Sequence, residues 1–388
     1  MLARRIDLLM DEISILYDNF RQLSSQFLEK GCAINGTLLS LEEVQNMSWQ
    51  NFANEVQKCM PQKLYKYFPN KTDKKSKTNY SLQALKNNTV FLQSPDEFDD
   101  IYDSEFSISF EEYERFRLID CCARCGIEID KQRTTDEIGT TLCAAIKESY
   151  DTHGDFKHIF KNHSCENEQL ANIIFCNEIS TAMTKYDDIG LAIKNLLSNE
   201  YTDYLSKLKN TFRVSCFTTT PYSQLMWGGA YADFHRGFCI EYTVLHDDAY
   251  KEILYSLFPL IYSKKRTNIA EKLVSNKDKT FTKEYLQNIY FNGVLRKSLD
   301  WAFQNEWRLL LPSQRNMKTD DYNIKFFPIT KVFLGNRMTL EERKKIIDIC
   351  HEKNIPYVGV KKASDKFEMQ DCKILCEHCP QFVGRNIP

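Results

Sequence analysis

Several groups of residues have types and spacings that could do chemistry. Asp99, Asp100 and Asp103 follow Ser94-Pro95 closely enough to hold a cation through oxygen ligands or to position a sugar hydroxyl, although Asp is also a common turn residue. Cys372, Cys376 and Cys379, with His378 and the upstream Cys350-His351 pair, supply soft ligands of the kind zinc takes. A Cys-x-x-Cys occurs there once and lacks a second pair at knuckle spacing, so reduced structural thiols are the favoured reading and no metal is expected. Cys121, Cys122 and Cys125 fall in a helix-like stretch without a nearby His pair and are read as packing thiols. Glu306 and Arg308 sit two apart in a strand-like run, so alternation puts both on one face and Trp307 with Leu309 on the other. That pair is either an ordinary exposed ion pair or a charged pair aimed into a cleft. Glu241 shares a face with Cys239 and reads as structural, while His235-Arg236-Gly237 fits either a phosphate contact or a solvated loop. Lys71, Lys74, Lys75 and Lys77 form a basic loop that suits a phosphate-rich ligand or simple solubility. Gly-x-Ser-x-Gly, phosphate-loop and dinucleotide fingerprints are absent from the sequence, which removes the main support for serine hydrolase, P-loop and Rossmann readings.

The elements that must position these groups are spread along a chain of 388 residues, long enough to bury a sizeable core. With 51 Lys+Arg against 53 Asp+Glu the net charge is -2, so nucleic-acid binding would have to come from a local patch. The first twenty residues interrupt their apolar positions with Asp7, Asp11 and Glu12, which argues against a signal peptide and for a cytoplasmic protein with no membrane segment. The 14 cysteines are then expected to be reduced. Leu2, Ile6, Leu9, Ile13, Leu16, Phe20, Leu23 and Phe27 recur in steps of four and three up to Gly31. This heptad helix could zip to a second copy, meet a partner such as an antitoxin, or lie on the protein's own body. A second helix starts at the Ser40-Leu41-Glu42-Glu43 capping pattern and runs to about Met60, making residues 1–60 a helical appendage.

Residues 61–388 read as an α+β core. Strands are expected at 64–68, 89–93, 213–217, 237–242, 306–311 and 331–335, and helices at Lys283–Phe303 and Leu340–Lys353. The stretch from about 110 to 210 is helical in texture and reads as an insertion or lobe. Strands flanking a helical middle imply a mixed or antiparallel sheet with non-local pairing.

Signature runs then suggest a relationship. Leu64-Tyr65-Lys66-Tyr67, Phe91-Leu92-Gln93-Ser94-Pro95 and Val214-Ser215-Cys216-Phe217 appear in order. So do Leu225 to Ala232, Arg236 to Tyr242, and Lys297 with Trp301 leading to Glu306-Trp307-Arg308-Leu309. Over about residues 64 to 360 the chain resembles an uncharacterised prokaryotic family, domain of unknown function 2971. It departs from the family pattern at Asp99-Asp100-Ile101-Tyr102-Asp103 and at Gly228-Gly229-Ala230, so no role here rests on an Asn at 99 or a His near 230.

The motif order is more distantly similar to ADP-ribosyltransferases. That similarity implies an ADP-ribosyltransferase-like core with NAD as the substrate. Breaking the nicotinamide–ribose bond builds positive charge on the sugar, so a carboxylate beside it lowers the barrier; by the same similarity Glu306 takes that role. Ser215 would hold the first-strand residue or the ribose. Tyr65, Tyr67, Trp227 and Tyr231 would offer aromatic faces to the cationic nicotinamide, and Lys66 or Arg308 would meet the pyrophosphate. The implied protein is a toxin or phage-defence effector that modifies a macromolecule, with nucleic acid the favoured acceptor because of the lysine loop. Two rivals stay open: a non-catalytic ligand-sensing module built on the aromatic cleft around Trp227 and Tyr231, and a metal-dependent nuclease using Asp99, Asp103 and Glu241.

Overall fold

The computed structural model describes residues 58–105, 108–130, 132–154, 188–210, 212–263, 293–312 and 322–372, with 32–34, 37–39 and a few single positions besides. The heptad helix expected over residues 2–27, most of the helix expected after Ser40, and Cys376, His378 and Cys379 lie outside them.

Two short strands, β1 (Cys32–Ile34) and β2 (Thr37–Leu39), pair antiparallel between the two helices expected for the first sixty residues. The main sheet is built from β3 (Lys63–Phe68), β5 (Phe212–Thr218), β6 (Phe238–Thr243), β7 (Leu257–Pro259), β10 (Glu306–Pro312), β12 (Ile329–Leu334), β13 (Tyr357–Lys362) and β14 (Met369–Asp371). Its eight strands run in the order β14-β13-β12-β6-β3-β5-β10-β7. β12 and β13 are parallel and the other pairs antiparallel, so the sheet is mixed. Two further pairs stand apart: β4 (Thr89–Phe91) with β11 (Asn323–Lys325), and β8 (Ile261–Ser263) with β9 (Arg296–Ser298). A helix is therefore not what ends the segment expected over 283–303: from Arg296 on it is β9 followed by a 3₁₀ turn, Leu299–Gln304. Parallel pairing with β8 overrides the local propensity there.

Helices α1 (Tyr80–Asn87), α5 (Gln224–Gly228), α6 (Lys251–Tyr255) and α7 (Leu340–Glu352) accompany the sheet, and α2 (Phe110–Arg124), α3 (Thr135–His153) and α4 (Ile189–Asn210) form the helical middle. Capping boxes at Ser109/Glu112, Thr134/Glu137 and Thr339/Glu342 fix where α2, α3 and α7 begin. The chain divides into two compact units. One comprises residues 1–104, 210–265 and 294–388; the other comprises 105–209 and 266–293. In the second unit Leu118, Cys121, Cys122, Ile138, Leu142, Ile146, Ile193 and Leu197 make a buried cluster, so these thiols are packing groups. None of the described helices is long and apolar enough to cross a membrane.

In the first unit the sheet packs apolar side chains on both faces. Register assigns Leu64, Phe217, Tyr242, Trp307 and Leu309 to one face, where Phe217 stacks on Phe326 with ring centroids 4.5 Å apart. The opposite face carries Tyr65, Tyr67, Cys239 and Phe333, covered by Met226, Trp227 and Ala232. Glu306 and Arg308 belong to this second face, opposite Thr218 and Cys216.

Candidate functional site

Four charged side chains meet at the start of β10. Arg308 is fully buried and donates from Nε to Glu306 Oε1 at 2.7 Å and from Nη2 to Asp103 Oδ2 at 2.6 Å. Its Nη1 donates to Ser104 Oγ at 3.0 Å and to the Val294 carbonyl at 2.6 Å. Lys297 Nζ donates to Gln304 Oε1 at 2.9 Å and to Glu306 Oε2 at 3.2 Å, and lies 3.0 Å from Asp103 Oδ2. Two carboxylates and two cations thus balance inside the protein, which is the condition under which burial of charge is tolerated.

Local structure explains how each arrives. β10 delivers Glu306 and Arg308 to one face by alternation. The 3₁₀ turn ends at Asn305, whose left-handed conformation (φ 43°) starts β10 and leaves Gln304 beside Lys297. Lys297 comes from β9, and its ammonium also lies 5.1 Å from the Trp301 ring centroid. Asp103 comes from the turn after β4, where Ser104 takes a left-handed φ of 55° and donates to Asp103 Oδ1 at 2.9 Å. Tyr262 of β8 accepts the Glu306 backbone N–H at 3.0 Å.

The electrostatics reflect this wiring. Burial alone would raise the Asp103 pKa, but Arg308 and Lys297 outweigh it and hold the carboxyl down at about 2. The same opposition holds Glu306 below the usual carboxylate range, with Arg308 the stronger partner. Burial works against the Lys297 charge, and Glu306 and Asp103 more than restore it. The Cys216 thiol, pushed up to about 12 by burial and by Glu306, is a neutral neighbour rather than a nucleophile.

One route leads outward. Gln304 Nε2 donates to the Tyr231 hydroxyl at 2.7 Å, and Tyr231 is 36% exposed. Tyr231, Gln304, Lys297 and Glu306 therefore form a hydrogen-bonded chain from surface to buried carboxylate.

The remaining residues singled out from sequence are placed elsewhere. Ser215 is buried on the opposite face of the sheet, paired across the ladder with Leu309, because Glu306 pairs with Thr218 and the faces alternate; it does not stand beside Glu306. Trp227 is 0% exposed, its indole N–H bound to the Pro221 carbonyl at 2.7 Å, so it is a core side chain and not an open stacking wall. Tyr67 meets Trp227 edge-on and donates to the Thr220 carbonyl at 3.2 Å. Tyr65 donates to Glu241 Oε2 at 3.0 Å, in a group that includes Lys63 and Thr330. Lys66 is half-buried and gives its ammonium to the Cys216 carbonyl at 3.0 Å; burial lowers its pKa. Arg308 is enclosed by carboxylates rather than presented to a ligand phosphate. Asp103 and Glu241 belong to different ion groups, and no cluster of three or more metal-ligating residues occurs among the described residues. Asp103, Lys297 and Gln304 are the members that motif order did not assign. Asp103 stands out in the acidic run and Lys297 in the run leading to Glu306, but no spacing in the sequence joins either to Glu306.

Residues 226–309 match a family model described as protein of unknown function (DUF2971). The matched stretch holds Tyr231, Lys297, Gln304, Glu306 and Arg308, and is shorter than the span of about 64 to 360 expected from the sequence resemblance. No curated protein and no solved structure matches the chain.

Proposed function

We propose that the Asp103–Lys297–Glu306–Arg308 cluster is the chemical centre of an ADP-ribosyltransferase-like enzyme that uses NAD to modify a macromolecule, as a toxin or phage-defence effector would. The single observation supporting this is that Glu306 is kept ionised by Arg308 and Lys297 at the inner end of the Tyr231–Gln304 chain. In the reaction the ribose–nicotinamide bond breaks with its electron pair leaving on nicotinamide. The sugar carbon then bonds to an acceptor oxygen or nitrogen, whose proton passes to solvent. A carboxylate is useful only if charged while the sugar turns cationic, and two cations ensure that. Glu306 Oε1 accepts from Arg308 and Oε2 from Lys297, and the Cys216 thiol is a further donor to the carboxylate, so of its roughly four acceptor positions one is left for a ribose hydroxyl. Access requires the Tyr231–Gln304 hydrogen bond to open, so Tyr231 is the residue assigned to meet the incoming ring. Tyr65, Tyr67, Trp227 and Ser215 have no part in this version of the site.

A second reading is favoured by the same charge balance. A neutral, closed network is also suited to a non-catalytic module that senses a ligand at Tyr231. Incubating purified protein with NAD and measuring nicotinamide separates them. Release that falls by about 10²–10³-fold in Glu306→Gln supports the enzyme, whereas NAD binding without release supports the sensor.

A further inference from the structure

Beside Tyr231 the backbone does something costly. Asp233, Phe234 and His235 take φ values of 46°, 53° and 70°, three consecutive non-glycine residues in the left-handed region. Each such residue is disfavoured by about 1 kcal/mol or more, and strain of this kind persists only where surroundings over-determine it. They do so here. Phe234 N–H donates to the Gly229 carbonyl and His235 N–H to the Trp227 carbonyl, while the His235 carbonyl accepts from Arg337 N–H. A Cβ on Gly237 would come within 2.2 Å of the Phe68 carbonyl oxygen, and one on Gly335 within 2.2 Å of the His235 carbonyl oxygen. The turn is wedged between the ends of β3 and β12, and Phe234 within it is 48% exposed.

The basic loop is anchored to the same turn. It leaves β3 after Phe68, and Lys71 Nζ lies 3.0 Å from Asp233 Oδ1. Asp73 is occupied within the loop, accepting from the Lys75 and Ser76 backbone N–H groups, and Lys74, Lys75 and Lys77 are exposed. An exposed aromatic ring therefore follows directly on the residue that anchors a loop carrying three further exposed lysines.

We propose that Phe234 with Lys74, Lys75 and Lys77 is a binding surface for a single-stranded nucleic acid, one base stacking on Phe234 while the backbone phosphates track the lysines. Unstacked bases have free faces and a flexible phosphate chain, which duplex does not offer to a protruding ring. The proposal rests on the enzymatic reading above only in naming its acceptor, and it places that acceptor next to Tyr231.

The test is fluorescence anisotropy with a labelled mixed-sequence strand of about 15 nucleotides, alone and annealed to its complement, across about 50–200 mM salt without NAD. The single strand is expected to bind at least about tenfold tighter than the duplex. Phe234→Ala should weaken it by about 5- to 100-fold with an unchanged salt slope. Replacing Lys74, Lys75 and Lys77 with Ala should lower the slope by about 2. Phe234→Asn, which tolerates a left-handed φ, guards against misfolding and should lose binding equally. No binding, a preference for duplex, or affinity indifferent to Phe234 would overturn the proposal, as would a self-association that Phe234→Ala abolishes with strand binding intact. Strand capture without nicotinamide release refutes the enzymatic reading alone, and release without capture refutes the surface alone.

Discussion

Arg308 is where stability and chemistry meet. Its guanidinium spans Asp103, Ser104, Glu306 and the Val294 carbonyl, a set of acceptors that a lysine's compact ammonium could not reach together. Arg308→Met would leave two buried carboxylates to share Lys297, and the expected cost is about 3–5 kcal/mol in denaturant unfolding. The same wiring gives a pH dependence with a definite sign. The folded-state pKa values of Asp103 and Glu306 lie below their unfolded values, so their contribution is complete above about pH 4.3 and is lost as pH falls through the folded values, toward about 2 for Asp103. Unfolding measured by circular dichroism should therefore show the gap between parent and Arg308→Met narrowing below about pH 4. A gap that stays constant or widens on acidification would mean that the ion pairs are not what the substitution removes.

At the scale of elements, alternation is the part of the site that sequence discloses. Glu306 and Arg308 against Trp307 and Leu309 can be read from period two, and the register with β5 agrees. The same alternation, applied across the ladder, is what separates Ser215 from Glu306, but that needs the pairing Glu306↔Thr218, which no local pattern specifies. Trp227 misleads for a related reason: an aromatic in a Gly-rich run looks available until the helix after Pro221 turns its indole inward. β9 is hidden because its parallel partner lies beyond the reach of local propensity. Gly237 shows how tightly the elements close around the strained turn. Its Cβ would also fall 2.9 Å from Ala232 backbone atoms, so neither neighbour can move aside as a flexible side chain would. Gly237→Ala should lower stability by about 1–3 kcal/mol or more, read from the denaturation midpoint; an unchanged midpoint would show that the turn is looser than its geometry.

For the whole molecule, the decisive contacts are long-range. Asp103 and Arg308 are 205 residues apart, and the first unit is assembled from three separate stretches of chain. Composition and strand texture can establish an α+β protein with a helical middle, whereas the identity of a buried ion network depends on which loop closes on which strand. The lysine loop is visible as a charge run, but its bond to Asp233 and the exposed ring beside it exist only in the folded chain. What unifies these features is Glu306: a charged carboxylate at the inner end of the hydrogen-bonded chain that reaches the surface at Tyr231, three residues before the Phe234 proposed to meet a nucleic acid. The most direct test is time-resolved nicotinamide release from NAD by the full chain, with and without a single-stranded oligonucleotide, beside a Glu306→Gln protein shown to be folded by near-ultraviolet circular dichroism. Release by the parent and a loss of about 10²-fold or more in the variant are predicted. No release under either condition, or equal release by both proteins, would contradict the assignment of Glu306.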